Sequence, residues 1–237
     1  YIKKEDVKIS ITGLNPKDYG NEESFFIKDG IQEDILATYK DYEGNVIKAT
    51  DIIVSFPGLS FKSKLSGNQP FPVQADVCYK YKTEAVSTGC IRKDPQLTNT
   101  KAVCVVNEEK KVFNSGAPVQ VTSFLEQPSG TDKIRYLITI KHVGSGDVYS
   151  PATKCADKTV KNRVHVKIES SVTDLECVGF IGAAGKEGDV ILRDGEYTFR
   201  CSQQKSSELD FEDRIVMTMT YDYLESVSTS VLVKKSS

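Results

Sequence analysis

The sequence predicts an all-β fold, made of two tandem immunoglobulin-like β-sandwich domains that are disulfide-bonded. Three observations predict it. Short runs rich in Val, Ile, Thr, Tyr and Phe recur between turn clusters, and no segment keeps an apolar stripe at helical period for three turns. The cysteines are even in number, at six. A segment in the first half of the chain also recurs close to the end of the chain.

Turn residues divide the chain into the predicted strands. Pairs such as Asp29-Gly30 and Pro57-Gly58 are typical of tight turns. The runs between them alternate apolar and polar side chains, as strands with one buried face do. The predicted strands are 6–12, 46–56, 73–81, 86–91, 119–125, 133–143, 163–170, 175–178, 196–201, 215–223 and 227–233.

The internal repeat is the most informative feature. Residues 73–81, VQADVCYKY, match residues 215–223, IVMTMTYDY, and a VST tripeptide follows each copy at 86–88 and 227–229. We expect each copy to be a hairpin, with the first turning around Glu84. Two such hairpins, each closing its own sandwich, indicate two homologous domains.

The repeat predicts domains at 1–94 and 117–237, with 95–116 as a connecting segment. The strand at 163–168 has about 45 residues of its domain before it, whereas the similar strand at 6–11 has five. The first sandwich is therefore expected to lack its opening strands and to expose an unpaired edge. Upstream residues could complete it, or another chain could supply a strand.

The six cysteines are predicted to form structural disulfides in an oxidising compartment. No pair has the C-x-x-C spacing of a zinc ribbon or a thioredoxin-like site. The hairpin register suggests one bridge, two neighbouring strand ends suggest another, and the remaining two cysteines make the third, which would tie 95–116 to the second domain. This set is one of fifteen possible connectivities: Cys78–Cys90, Cys177–Cys201 and Cys104–Cys155.

Composition and motifs argue against catalysis and against nucleic acid. The 31 basic residues nearly balance the 33 acidic ones and are interspersed with them, so the basic patch of a nucleic-acid binder is missing. No G-x-S-x-G or calcium-loop motif occurs. His142 and His165 lie in predicted strands, where a histidine is more often structural than catalytic. We expect no enzyme activity, no cofactor and no metal.

A glycine-rich segment, 178–188, has an apolar tip that is unusual for an exposed loop. It lacks the G-K-[ST] ending of a phosphate-binding loop. Its apolar residues could form a contact surface, or the aromatic ring could fold back onto the sandwich, and both interpretations stay open. The residues of this possible contact loop are Phe180, Ile181, Ala183 and Ala184.

Several segments together resemble a family of uncharacterised archaeal membrane-anchored cell-surface proteins with tandem immunoglobulin-like domains. The similarity covers most of 6–235, and its most specific part is DVCYKYKTE at 76–84 followed by GCI at 89–91. The other segments are VC at 103–104, SGAPVQVT at 115–122 and ITIKHVGSG at 138–146. The resemblance implies a cell-envelope location with the domains facing outward, and it implies no catalytic residues. The family's N-terminal anchor and the first domain's opening strands are absent from this sequence.

These observations predict an extracellular structural protein of the cell surface or envelope. We expect it to be a subunit of an envelope layer or filament that acts through protein–protein contacts, by self-association or with another surface protein. The alternative is an adhesin-type binding module that attaches to a cell or a polymer. No run of eighteen apolar residues occurs, so membrane contact is expected only through an anchor outside this sequence.

Overall fold

A computed structural model describes residues 2–36, 38–49, 51–96, 102–171, 174–182, 185–204 and 209–235. The strands are β1 (Val7–Thr12), β2 (Ile27–Asp29), β3 (Tyr39–Lys40), β4 (Val46–Ile47), β5 (Gln69–Ile91), β6 (Glu108–Glu109), β7 (Phe113–Asn114), β8 (Val119–Pro128), β9 (Lys133–His142), β10 (Asp147–Tyr149), β11 (Arg163–Glu169), β12 (Leu175–Val178), β13 (Glu187–Ile191), β14 (Glu196–Gln204) and β15 (Phe211–Val233). Short 3-10 helices lie at Lys4–Asp6, Pro16–Tyr19, Glu23–Phe26 and Lys158–Val160. None of the helices in these ranges has the length and apolar character needed to cross a membrane.

Two antiparallel sheets contain most of the strands. One has the order β13-β11-β15-β5-β1-β2, with β10 also beside β15 and β7 beside β5, and the other has the order β12-β14-β9-β8-β6. The short strands β3 and β4 pair with each other. The predicted all-β, disulfide-bonded fold with paired sheets is confirmed, whereas the tandem immunoglobulin-like arrangement stays a prediction.

Contacts divide the chain into two compact units, and neither is a continuous stretch of sequence. Unit 1 comprises Tyr1–Lys80, Ala152–Ala156 and Asp222–Ser237. Unit 2 comprises Tyr81–Pro151 and Asp157–Tyr221. This division differs from the predicted boundaries at 94 and 117. Units defined by contacts do not test where separately folding domains begin and end, so the predicted boundaries stay a prediction.

Unit 2 is a two-sheet sandwich. The sheet of β12, β14, β9, β8 and β6 faces one made of β13, β11 and the parts of β5 and β15 that belong to this unit. Alternation along each strand directs one face inward. Gly89 of β5 lies so close to β9 of the opposite sheet that a Cβ there would be 2.8 Å from the hydroxyl oxygen of Tyr136. The core includes the fully buried side chains of Phe124, Ile134, Tyr136, Ile138, Ile140, Ile168, Ile215, Met217 and Met219.

A buried polar link joins the two sheets of unit 2. The Thr83 hydroxyl donates to the carbonyl of Val119 (2.8 Å), and the Val119 N–H donates to the hydroxyl oxygen of Tyr221 (3.2 Å). The Thr83 and Tyr221 hydroxyls are 3.0 Å apart, so they satisfy each other as well. Because all three residues are fully buried, this network compensates for the desolvation of two hydroxyl groups.

Unit 1 combines a small sheet with an aromatic cluster. β1 lies between β2 and β5, and its register sets Ile9 opposite Lys28 on one side and Val77 on the other. Away from the sheet, Tyr19 packs edge-on against Phe61 at 5.4 Å between ring centroids. Such pairs prefer this geometry because the edge of one ring meets the face of the next. The other contacts of the cluster join Phe25, Phe26, Phe56 and Phe71.

The carboxylate of Asp222 binds the backbone of the segment 152–156 in unit 1. Asp222 accepts hydrogen bonds from the backbone N–H groups of Ala152 (3.3 Å), Thr153 (2.8 Å) and Lys154 (2.6 Å). Ala152, Lys154 and Cys155 have positive φ angles of 67°, 48° and 54°, a conformation that non-glycine residues rarely adopt. The three charge-assisted hydrogen bonds and a disulfide at Cys155 together stabilise this backbone.

The two predicted hairpins are wrong. β5 and β15 are each one continuous strand of 23 residues, and the repeated segments lie side by side. In unit 1, Tyr79 contacts Tyr223 at 5.9 Å between ring centroids, and in unit 2 Tyr81 stacks on Tyr221 at 5.8 Å. The residue numbers of each pair sum to 302, as they must in an antiparallel register. The matching motifs therefore lie side by side in one sheet instead of forming two hairpins.

Two of the predicted disulfides are wrong for the same reason. Residues 78 and 90 lie twelve positions apart on one continuous strand. At the rise of a β-strand their Cα atoms are roughly 40 Å apart, far beyond the reach of a disulfide. All six cysteines are bridged nevertheless, and Cys177–Cys201 is present as predicted because its strands pair with the two residues opposite each other. The bridges are Cys78–Cys155, Cys90–Cys104 and Cys177–Cys201.

The predicted unpaired edge at residues 6–12 is also wrong, because β1 has a strand on each side. In the predicted strand 46–56 only Val46–Ile47 is extended and paired, and residues 51–56 have no regular structure. Asp51 begins that stretch and Pro57 follows it, and both residue types disfavour sheet pairing. A strand at Glu187–Ile191 was not predicted, since its glycine and two acidic residues weaken the apolar alternation.

Removing a bridge should cost more stability when the loop that it closes is longer, and the cost rises with the logarithm of loop length. Cys78–Cys155 spans 77 residues and Cys90–Cys104 spans 14. Loop-closure entropy predicts losses of about 4.5 kcal/mol for C78A/C155A and about 3 kcal/mol for C90A/C104A. Urea unfolding of the two double variants measures the difference. Equal losses, or a non-reducing peptide map with another connectivity, would contradict the pairing described above.

Candidate interaction surface

The predicted contact loop divides into a packed part and an exposed part. Phe180 folds back onto the sandwich, with its ring centroid 5.1 Å from that of Phe199. Gly188 makes this possible, because a Cβ there would lie 2.5 Å from the Cβ of Phe180. Ile181 hydrogen-bonds through its backbone N–H to the carbonyl of Asp189 and keeps 46% of its surface exposed. Ala183 and Ala184 lie outside the described residues, and the contact role of this loop stays a prediction.

The histidines occupy ordinary positions on strands. Alternation along β11 buries Val164 and Val166 and directs His165 outward, where its Nδ1 lies 2.9 Å from Oδ1 of Asp189. His142 ends β9, and burial lowers its pKa below the usual value. Within the ranges that the structure describes, no group of three or more His, Cys, Asp or Glu side chains is arranged to hold a metal ion.

The last nine residues of β15 form an exposed ribbon edge in unit 1, which we call the β15 edge (residues 225–233). On one side they contact β5: the Tyr79 hydroxyl donates to Glu225 (3.1 Å), and the Ser226 hydroxyl donates to Asp76 (2.6 Å). The other neighbours of β15 are β11, which pairs with residues 216–220, and β10, which is three residues long. Among the strands in the described ranges, these two are too short to cover the β15 edge.

Apolar side chains are exposed along the β15 edge. The exposed fractions are 67% for Val227, 46% for Val231 and 54% for Leu232. Val227 and Val231 lie on one face of the strand and Leu232 on the other, so the segment combines high β propensity with exposure on both of its faces. A strand with an open row of backbone N–H and C=O groups is a template for another strand. The β15 edge is therefore the best-formed candidate for binding a protein.

A second feature, inside unit 2, is a buried carboxylate in β8. The register of β8 against β9 shifts between Val121 and Ser123, so a β-bulge inserts one extra residue and reverses which side chains point inward. As a result Phe124 and Glu126 are fully buried. Without the bulge, alternation from Val121 would direct Leu125 into the core in place of Glu126.

Glu126 is compensated by one cation and one backbone group. Its two oxygens accept from the N–H of Cys90 at 2.9 and 3.1 Å, and Lys110 Nζ lies 3.1 Å from Oε2. Lys110 Nζ also donates to Glu108 (2.6 Å) and to the carbonyl of Val105. Burial raises the pKa of Glu126 to about 7, although the charge of Lys110 and the bond from Cys90 oppose the shift.

Comparisons with known proteins do not identify a family. No family model matches the chain, and no curated protein matches it. Among solved structures it is similar to the envelope protein VP37 of White Spot Syndrome Virus, with a TM-score of 0.27 and 9% sequence identity over 60% of this chain and 97% of that one. A likeness this distant carries no argument. The fold itself defines a β-rich, two-sheet protein with three disulfides.

Glu126 should make the stability of the protein depend on pH. Because its pKa is about 7 in the folded state and about 4.5 in the unfolded state, the folded chain binds a proton that the unfolded chain releases in this window. The stabilisation is complete below pH 4.5 and is lost as the pH rises through 7. We expect a loss on the order of 3 kcal/mol, measurable by urea unfolding between pH 4.5 and 8.

The variant E126Q, which cannot titrate, should remove most of this pH dependence. The matched control is E84Q, since the Glu84 side chain is 48% exposed on β5 and should leave the slope unchanged. A wild-type slope retained in E126Q would show that the pKa of Glu126 is ordinary.

Proposed function

We propose that this protein is an extracellular structural protein of the cell surface or envelope, a subunit of a layer or filament that acts through protein–protein contacts. The single observation that carries the proposal is the β15 edge, where exposed valines accompany an open row of backbone hydrogen-bonding groups. Three disulfides support the location, because such bridges persist in oxidising compartments and are rare in the cytosol. The resemblance to archaeal surface proteins agrees with it.

An adhesin-type binding module is the second candidate. The exposed side chains of Val178 (53%) and Ile181 (46%) favour it, since both belong to the glycine-rich segment 178–188. A small apolar patch of this kind suits contact with another molecule. A structural subunit must contact its own copies, whereas an adhesin acts as a monomer, so self-association separates the two candidates.

Both candidates act by contact, and we propose no enzymatic role. Acid–base catalysis requires a group within hydrogen-bonding reach of a substrate that its surroundings hold in place. The His165–Asp189 pair lies on the outward face of β11 and β13, and the buried Glu126 has no exposed surface. These placements suit structural roles better than catalytic ones.

Surface labelling of intact cells tests the proposed location and role. A membrane-impermeant amine reagent should modify the protein as fully before lysis as after it, because exposed lysines such as Lys234 and Lys235 are accessible from outside. Purified protein should also self-associate with increasing concentration in sedimentation velocity. Labelling only after lysis would refute the proposal, and a surface-labelled protein that stays monomeric would favour the adhesin.

A further inference from the structure

We propose that the β15 edge binds the same edge of a second copy of this chain, antiparallel, about a two-fold axis at Ser230. This inference rests on the proposed function and names its partner. The contact joins the open backbone groups of the two edges into one continuous sheet across the pair. Because both copies contribute the same residues, the contact is isologous.

Backbone geometry limits the registers that two identical edges can adopt. Along a strand, alternate residues direct their N–H and C=O groups to the same side, so only every second residue of the β15 edge can bond outward. When two copies pair antiparallel, a residue whose backbone groups point outward must lie opposite another residue whose groups point outward. The axis therefore passes through a residue and not between two residues. Near the middle of the edge the choice is Ser228, Thr229 or Ser230, and a centre at Ser228 would place Glu225 opposite the uncharged Val231.

Charge selects the register centred on Ser230. In that register Glu225 of each copy meets Lys235 of the other, two residues beyond the end of β15, which gives two opposite-charge pairs by symmetry. In the register centred on Thr229, Glu225 lies opposite Val233. Among the described residues neither Glu225 nor Lys235 forms an ion pair within its own chain, so both are available. Directly opposed unlike charges stabilise antiparallel pairs, and like charges destabilise them.

The same register aligns the exposed apolar residues. Val227 lies opposite Val233 and Thr229 lies opposite Val231, and all four alternate onto one face of the strand. Each pair occurs twice, so a row of β-branched side chains runs across the two-fold axis. Val227 and Val231 are 67% and 46% exposed in the single chain, and cross-strand contact would cover part of that surface.

Tyr79 helps to position the carboxylate of Glu225. The Tyr79 hydroxyl donates to Glu225 at 3.1 Å, which holds the carboxylate at the end of the edge and leaves its remaining lone pairs for a lysine. At the opposite end, the N–H of Lys235 donates to Asn68 at 3.0 Å, so the backbone of that residue is fixed to unit 1. Both members of the inter-chain pair are thus partly ordered before binding.

A charge-reversal cycle tests the register. Each of E225K and K235E places like charges opposite each other twice and should raise the dimer dissociation constant about tenfold. The double variant E225K/K235E restores both unlike pairs and should recover wild-type affinity. The measurement is sedimentation equilibrium of the full chain, at low and high ionic strength. The differences should shrink as salt screens the exposed charges.

A second pair of variants tests the surface without relying on charge pairing. V227K inserts two lysines into the valine row and should abolish dimerisation, whereas V143K, at a valine in unit 2 that is 50% exposed, should leave it unchanged. A wild-type protein that self-associates but is insensitive to all of the β15 variants would overturn this inference and leave the proposed function standing. A strictly monomeric wild type would overturn it too and would favour the adhesin over the structural subunit, and surface labelling would then decide only the proposed location.

Discussion

The antiparallel pairing of β5 with β15 is the constraint on which the rest of the structure depends. Each strand is 23 residues long and contributes one part to unit 1 and the other to unit 2. β1 joins the pair in unit 1, and β11 joins it in unit 2. Paired tyrosines fill the middle of both strands, where a large side chain opposite another gives strong cross-strand contact. Any change that shifts this register alters both units at once.

The repeat was visible in the sequence, but its meaning was not. The sequence matches Tyr79 with Tyr221, whereas the structure places Tyr79 against Tyr223. A sequence match says nothing about whether two copies fold apart or pair together. The evidence against a hairpin was local: Thr83, Ala85 and Ser87 continue the alternation and are all buried, and no glycine, proline or asparagine interrupts them. Strand continuity was therefore readable from the period, while the partner of the strand was not.

The two wrong disulfide predictions followed from the wrong prediction of a hairpin at residues 73–91. A cysteine pair can be predicted when its members lie near each other in the chain, as with Cys177 and Cys201, which are 24 positions apart and lie directly opposite each other in β12 and β14. Cys78 and its true partner are separated by most of unit 2 in the sequence, and only the tertiary fold brings them together. The buried position of Glu126 was equally hidden, because one extra residue in β8 reverses the alternation.

The candidate surface was predictable only in part. The glycine-rich loop attracted notice because its apolar residues stood out from their surroundings, although the structure packs Phe180 against Phe199. The β15 edge is composed of the same residue types as a buried strand, so its composition indicates extended structure and not exposure. Exposure depends on which neighbours the sheet lacks, and that is a property of topology.

The discontinuous makeup of both units also bears on how the chain is made. β5 emerges early in synthesis, but the strand it pairs with follows only after residues 92–210, which takes on the order of 10 s at typical ribosomal rates. Neither unit can close until β15 arrives, so neither unit can complete its fold early in synthesis. During that interval the edge of β5 is available to any other nascent strand. A holding chaperone would therefore matter more for this chain than for one whose units are continuous in sequence.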